Sequence, residues 1–146
     1  MRAERDLQLR RVVLDTNVWI SAALTAAGPT SQLARRVLEI GRPVFTRPTF
    51  TELETRIWRP KFDRYLSMEL RRRILHDLEA VADWVEIPQE LAARQWSRDA
   101  DDDAFVRAAL AAGAPMLVTG DADLLEMCPV EGLRIVTPAQ ALREWS

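Results

Sequence analysis

Carboxylate side chains are the residues of this sequence whose types and spacing could support chemistry. They recur where predicted strands end and where predicted helices begin, in parts of the chain that are far apart in sequence. Carboxylates that are brought together repel one another, and a divalent cation removes that repulsion. Mg²⁺ and Mn²⁺ prefer hard oxygen ligands of this kind. The candidates for one such cation site are Asp15, Glu52, Asp103, Asp121 and Asp123.

Each of these acids also has a purely structural explanation. An Asp that follows a strand often caps the next helix by accepting a hydrogen bond from a backbone N–H. Asp15 and Asp121 occupy such positions, and the helix dipole would favour the acids of residues 99–103 at a helix start. Glu52, taken alone, is an ordinary surface residue. The combined pattern is harder to explain structurally than any single member, so we expect a site.

The elements that would position the acids alternate between strands and helices. Short apolar or β-branched runs predict strands at residues 11–14, 43–46, 84–87, 116–118 and 133–136. Apolar residues at helical spacing predict helices at residues 31–40, 48–58, 67–84, 90–96, 102–112, 121–127 and 138–145, with a further helix starting at Thr16 or Asn17. This alternation requires parallel strands with right-handed crossovers, hence an α/β fold with helices on both faces of the sheet. Functional sites in such folds form beyond the carboxyl ends of the strands, where the acids stand.

The composition indicates one globular domain without disulfides. A chain of 146 residues, 48% of them hydrophobic, fits a single domain over residues 1–146, with residues 1–10 as an N-terminal extension. Cys128 is the only cysteine, which excludes an intrachain disulfide and fits a reducing compartment. No apolar run reaches the roughly 18 residues that span a bilayer, and residues 1–10 lack the apolar core of a secretory signal. We therefore expect a cytoplasmic protein.

Basic residues concentrate between Arg56 and Arg73, although the net charge of the chain is only −2. This segment could contact the phosphates of a nucleic acid near Glu52, and a solvated helix surface explains it equally well. The residues that we consider for phosphate contacts are Arg56, Arg59, Lys61 and Arg64. The five tryptophans could stack on bases, but core or dimer contacts explain them better. His76 is most simply a solvated surface residue, and no His/Cys set suggests zinc.

Four stretches of the sequence resemble the PIN-domain family, and most closely its branch of toxins from toxin–antitoxin pairs, the VapC-like ribonucleases. They are VVLDTNVWISAA, TFTELETRIWRPKF, RDADDDAFVRAALAAGAPMLVTGDADLL and IVTPAQAL. They follow the family's order and together cover nearly the whole chain. The resemblance implies a five-stranded parallel sheet in the order 3-2-1-4-5.

The resemblance also implies roles for individual residues. The catalytic metal ligands would be Asp15, Glu52, Asp103 and Asp121, with Asp123 as an accessory acid. Asn17 and Thr119 would orient the first and fourth acids or the attacking water. The third acid lies in a run of aspartates, so its assignment has an alternative. Asp103 is favoured because it immediately precedes AFVRAAL, as in the family, and Asp102 is the other candidate.

The function implied by the resemblance is hydrolysis of RNA phosphodiester bonds with Mg²⁺ or Mn²⁺. Its partners would be an RNA substrate, a cognate antitoxin protein and a second copy of the chain in a homodimer. The alternative is a PIN-like protein that binds metal and acts as an RNA-binding or regulatory protein without turnover. The intact set of acids favours the enzyme.

Overall fold

The five-stranded parallel sheet at the centre of the fold has the order β3-β2-β1-β4-β5 in the computed structural model, which describes residues 10–145. Each neighbouring pair of strands is parallel. The strands are β1 (Arg11–Leu14), β2 (Arg42–Phe45), β3 (Asp83–Trp84), β4 (Met116–Val118) and β5 (Arg134–Val136). The predicted α/β class and strand order are confirmed.

Helices separate the strands and cover both faces of the sheet. They are α1 (Thr16–Leu24), α2 (Pro29–Ile40), α3 (Arg47–Ile57), α4 (Met68–Val81), α5 (Gln89–Ala92), α6 (Ala100–Ala112), α7 (Ala122–Glu126) and α8 (Pro138–Trp145), with a 3-10 turn at Pro60–Phe62. Local side-chain chemistry sets several of their ends. Thr46 and Thr49 form a reciprocal capping box at the start of α3. Gly113 adopts a left-handed φ of 64° that ends α6.

The side chains of β1 alternate between two cores, as the two-residue period of a strand requires. Val12 and Leu14 pack into the core under α1–α4 and α8, whereas Val13 packs into the core under α6 and α7. An aromatic group strengthens the first core, where the Phe45 and Phe50 rings meet edge to face at 5.2 Å. Because β1 is covered on both faces, its end is held rigidly between the two layers.

The edge of the sheet differs most from the prediction. The expected helix over residues 67–84 ends at Val81, and the expected strand over residues 84–87 is reduced to β3, Asp83–Trp84. Ala82 has an extended backbone that turns the chain from α4 into β3. Asp83 then accepts a hydrogen bond from Arg11 Nε at 2.7 Å, which fixes the short strand beside its neighbours. The 3-10 turn at Pro60–Phe62 was not predicted.

The N-terminal extension expected over residues 1–10 lies outside the described residues except for Arg10. The carbonyl oxygen of Arg10 accepts a hydrogen bond from the N–H of Arg42 at 2.9 Å, which continues the pairing of β1 with β2. Between residues 10 and 145, none of the helices has the length and apolar character needed to cross a membrane.

Candidate functional site

The carboxyl ends of β1 and β4 open on a cavity of about 130 Å³, here called the acid cavity. Its walls come from the loops after these two strands, from α3 and from the start of α6. The lining residues are Asp15, Thr16, Asn17, Glu52, Arg56, Asp99, Asp101, Asp102, Phe105 and Asp121. The fold therefore brings together Asp15, Glu52 and Asp121, three of the acids selected from the sequence.

Asp15 occupies the end of β1 and is 5% exposed. Its Oδ1 accepts a hydrogen bond from the N–H of Val18 at 2.9 Å, so the residue is indeed the N-cap of α1. Its Oδ2 accepts a hydrogen bond from the hydroxyl of Thr119. The capping explanation is thus correct for one oxygen, whereas the second oxygen is held by Thr119, and the residue lines the acid cavity.

Burial raises the pKa of Asp15 above its usual range. The hydrogen bonds from Thr119 and Val18 oppose this rise because they stabilise the carboxylate form. The charges of Asp121 and Glu52 add to it. The raised pKa of Asp15 is therefore mainly an effect of burial, to which the neighbouring carboxylates add.

Thr119 connects the ends of the two central strands. The hydroxyl that donates to Asp15 also accepts a hydrogen bond from the N–H of Asp121 at 3.0 Å, and Thr119 is fully buried. Asp121 in turn caps α7, since its Oδ1 accepts from the N–H of Asp123 at 2.9 Å. This chain of contacts fixes the relative positions of Asp15 and Asp121. Asn17 is exposed and lines the same cavity.

Both oxygens of Glu52 have partners within the acid cavity. Oε2 accepts a hydrogen bond from the hydroxyl of Thr16 at 2.5 Å, and Oε1 lies 2.8 Å from the guanidinium of Arg56. Sequence reasoning missed the role of Thr16. The available signal was its place inside the motif LDTN, directly after the first acid. Glu54, two residues along α3, is exposed and does not line the cavity.

The two candidates for the third acid have different surroundings. Asp103 is fully buried, and its carboxylate accepts hydrogen bonds from the backbone N–H groups of Trp96 at 3.3 Å and Ser97 at 2.9 Å. It does not line the acid cavity, whereas Asp102 does. Successive residues of a helix point about 100° apart, and here the side chain of Asp103 is turned into the protein while that of Asp102 lines the cavity. The structure brings the alternative candidate, Asp102, to the other acids.

The pKa of Asp102 is raised to about 6 by partial burial and, next, by the charge of Asp121. Asp99, which caps α6 by accepting from the N–H of Asp101 at 2.9 Å, raises it further. Asp123, expected as an accessory acid, also adds to this rise although it does not line the acid cavity. The cavity is therefore a place where negative charge is poorly compensated.

The donor set of the acid cavity fits a hard divalent cation, because it consists of carboxylate oxygens that repel one another. Asp15, Asp102, Asp121 and Glu52 supply those oxygens. In the observed side-chain positions, no group of three or more His, Cys, Asp or Glu among residues 10–145 is arranged to hold one metal ion. Binding a cation would therefore require carboxylate side chains to rotate towards one another.

Two further cavities adjoin the acid cavity and share lining residues with it. The Arg59 cavity, about 380 Å³, shares Glu52, Arg56 and Asp101 with it. The Trp96 cavity, about 420 Å³, shares Asp99 and Asp102 with it. The lining residues of the Trp96 cavity are Trp96, Ser97, Arg98, Asp99, Asp102, Asp123, Glu126 and Met127.

The basic residues selected from the sequence divide between these surfaces. Arg56 lines the acid cavity and the Arg59 cavity, and Arg59 lines only the latter. Lys61 and Arg64 are exposed and line none of the three cavities, and the Lys61 ammonium lies 5.1 Å from the centre of the Phe62 ring. Only the first two are therefore adjacent to the acids.

Comparisons with known proteins agree with this architecture. The family model of the PIN domain matches residues 11–123. An uncharacterised protein of Methanocaldococcus jannaschii is 31% identical over 118 residues, which cover 80% of this chain and 74% of the relative.

Two solved structures share the fold. The first is VapBC2 from Rickettsia felis bound to a DNA fragment from its promoter. The alignment has a TM-score of 0.58 at 14% identity and covers 87% of this chain and 98% of the VapBC2 chain. VapBC-1 from nontypeable Haemophilus influenzae aligns with a TM-score of 0.57 at 17% identity and covers 88% of this chain and 98% of its own. At these identities the likeness concerns the fold.

Proposed function

This chain belongs to the PIN-domain family, and from that premise we propose that it is an endoribonuclease that uses Mg²⁺ or Mn²⁺. The observation that carries the proposal is the acid cavity at the carboxyl ends of β1 and β4, which is lined by carboxylates from four distant parts of the chain. The raised pKa values of Asp15 and Asp102 are consistent with it, because they reflect carboxylates that are buried and that also lie near other carboxylates.

We assign the metal-holding role to Asp15, Glu52, Asp102 and Asp121. Asp102 replaces Asp103 in this set because Asp102 faces the acid cavity, whereas backbone N–H groups occupy the carboxylate of Asp103. When bound, Mg²⁺ or Mn²⁺ supplies a water that loses its proton more readily and offsets the charge of the phosphoryl group.

The surrounding residues position the acids and the substrate. Thr119 holds the Asp15 carboxylate and the Asp121 backbone in fixed relation, and Thr16 orients Glu52. Arg56, at the edge of the acid cavity, is placed to pair with a substrate phosphate once Glu52 turns towards a cation. Arg59 extends the positive charge along the adjoining cavity.

The partners that we propose are RNA, an antitoxin protein and a second copy of the chain. The antitoxin and the toxin role follow from the family branch that the sequence resembles, and the fold shared with the two VapBC structures is consistent with them. Light scattering tests the homodimer, since a mass near 16.6 kDa at micromolar concentration would reject it.

The proposed function is tested by cleavage of labelled RNA with Mn²⁺, with Mg²⁺ and with excess EDTA. Asp15→Asn keeps the capping oxygen and removes the charge, so cleavage should fall by orders of magnitude while the fold persists. Glu52→Gln should also reduce cleavage strongly. Glu54→Gln is its matched control, because Glu54 lies on the same helix, is exposed and lies outside the acid cavity. Undiminished cleavage by Asp15→Asn, or cleavage that continues in EDTA, would refute the proposal.

A further inference from the structure

We propose that the Trp96 cavity binds one unpaired base of the RNA strand whose phosphodiester bond lies at the acid cavity. The substrate class rests on the proposed function, and the location rests on the cavity and on the contacts of Trp96. The base would belong to a nucleotide that flanks the cleaved bond, because the two cavities share Asp99 and Asp102. A volume of about 420 Å³ lies within the range of cavities that bind small ligands.

Trp96 is held in place by polar contacts although it is only partly buried. Its indole N–H donates to Glu131 Oε2 at 3.0 Å, and its backbone N–H donates to the buried carboxylate of Asp103. The guanidinium groups of Arg94 and Arg107 lie over the ring at 5.2 Å and 6.0 Å from its centre, and Arg94 also pairs with Glu131. A bound base would share the ring with these cations or displace one of them. A ring fixed in this way loses little conformational entropy when a base stacks against it.

The other walls of the Trp96 cavity favour a base over a phosphate. Asp123 and Glu126 are both exposed, and their three-residue separation places them on one face of α7. Ionised carboxylates only accept hydrogen bonds, so they repel phosphates and suit the N–H donors of a base edge. Met127 adds an apolar surface. Arg98 is the cation among the lining residues and would pair with a phosphate of the bound strand.

The competing explanation is that Trp96 only fills space at the edge of the core under α6 and α7, which it contacts. That explanation predicts a loss of stability when Trp96 is shortened. It predicts no dependence of RNA recognition on whether a particular base is present. A double-mutant cycle, in which Trp96 and one RNA base are changed separately and then together, distinguishes the base site from the space-filling role.

The experiment compares an intact RNA with RNAs that carry one abasic nucleotide on either side of the cleaved bond. For the wild-type protein, KM should rise roughly tenfold when the abasic nucleotide is at one of these positions, as removal of one stacked base predicts. The kcat should be nearly unchanged. For Trp96→Leu, KM should be raised to the same extent with intact RNA, and the abasic RNA should raise it no further. Trp96→Phe keeps an aromatic surface and should recover most of the affinity.

The control variant is Trp145→Leu, since Trp145 is also partly buried and lies on α8, outside all three cavities. The ratio of its KM values for abasic and intact RNA should equal the wild-type ratio. The ratio is compared within each variant, so partial unfolding of a variant cancels. If Trp96→Leu keeps the wild-type ratio at both flanking positions, the base site is refuted.

Failure of the proposed function gives a different result. If the wild-type protein cleaves no RNA with Mn²⁺ or Mg²⁺, the same cycle is measured as equilibrium binding by fluorescence anisotropy, with the abasic nucleotide moved along the RNA. A position-specific loss that Trp96→Leu abolishes would then support the base site and reject the ribonuclease. Binding that is insensitive to every abasic substitution would refute the base site.

Discussion

Asp102 and Asp103 are neighbours in the chain, but their carboxylates have opposite surroundings. Asp102 faces the other acids, and its pKa is raised to about 6. Asp103 is fully buried and accepts hydrogen bonds from the backbone N–H groups of Trp96 and Ser97. One carboxylate is therefore available for a cation, and the other holds the loop that leads into α6.

The two aspartates should respond differently to the same substitution. Asp102→Asn should reduce cleavage by orders of magnitude and leave the metal-free protein at least as stable as the wild type, because a repelled charge is removed. Asp103→Asn should lower the free energy of unfolding by about 1–3 kcal/mol, because an amide group replaces one acceptor of buried N–H groups. Thermal melts in EDTA and RNA cleavage assays measure both effects. A large loss of cleavage in Asp103→Asn without loss of stability would reverse the assignment.

At this scale the sequence predicted the acids better than their orientation. Asp15 and Asp121 could be found because each follows an apolar strand, and the ends of neighbouring parallel strands meet. The choice between Asp102 and Asp103 depends on the path of the loop at residues 93–99, which has no periodic pattern. The hydrogen bond from Thr16 to Glu52 likewise depends on how α3 packs beside α1.

At the scale of elements, the central strands were predicted closely and the edge of the sheet was not. β4 has its predicted bounds, Met116–Val118, because both of its faces are buried and its residues are all apolar. β3 has two residues, too few for a pattern to show, and its place depends on the ion pairs of Asp83 with Arg11 at 2.7 Å and Arg42 at 3.4 Å. Long-range contacts of this kind leave no local signal in the sequence.

Asp83→Asn should therefore loosen β3 without changing the chemistry. Loss of the ion pairs with Arg11 and Arg42 should lower the free energy of unfolding by about 1 kcal/mol, since all three side chains are partly exposed. Cleavage per folded molecule should stay at the wild-type level, because Asp83 does not line the acid cavity. Denaturant melts and RNA cleavage on the same preparation measure the two quantities. A large loss of cleavage would mean that the sheet edge controls the site.

For the molecule as a whole, the acid cavity links stability to pH and to cations. The raised pKa values of Asp15 and Asp102 mean that the folded, metal-free protein binds more protons than the unfolded chain between the unfolded pKa, 3.8, and the raised values. The free energy of unfolding therefore falls as pH rises through this window. A cation that binds only the folded protein should restore it.

Thermal melts at about pH 5 and about pH 8 test this coupling. In EDTA, the contribution of these acids to the free energy of unfolding should be greater at the lower pH. The difference in stability between the two pH values should be smaller for Asp102→Asn than for the wild type. Millimolar Mn²⁺ should raise the melting temperature at the higher pH. Equal pH dependence in wild type and Asp102→Asn would contradict the mutual repulsion, and no response to Mn²⁺ would contradict the metal site.

Asp15 caps α1 with one oxygen and accepts a hydrogen bond from Thr119 with the other, at the wall of the acid cavity. Under the proposed function, a single substitution at this position would separate folding from catalysis. Asn, Ser or Thr would still cap the helix, so a descendant that carries one of them would keep its fold and its binding surfaces after the chemistry is lost. If the proposed ribonuclease activity holds, gene duplicates of this protein could lose cleavage and keep their fold through one change at residue 15, which is the position to inspect.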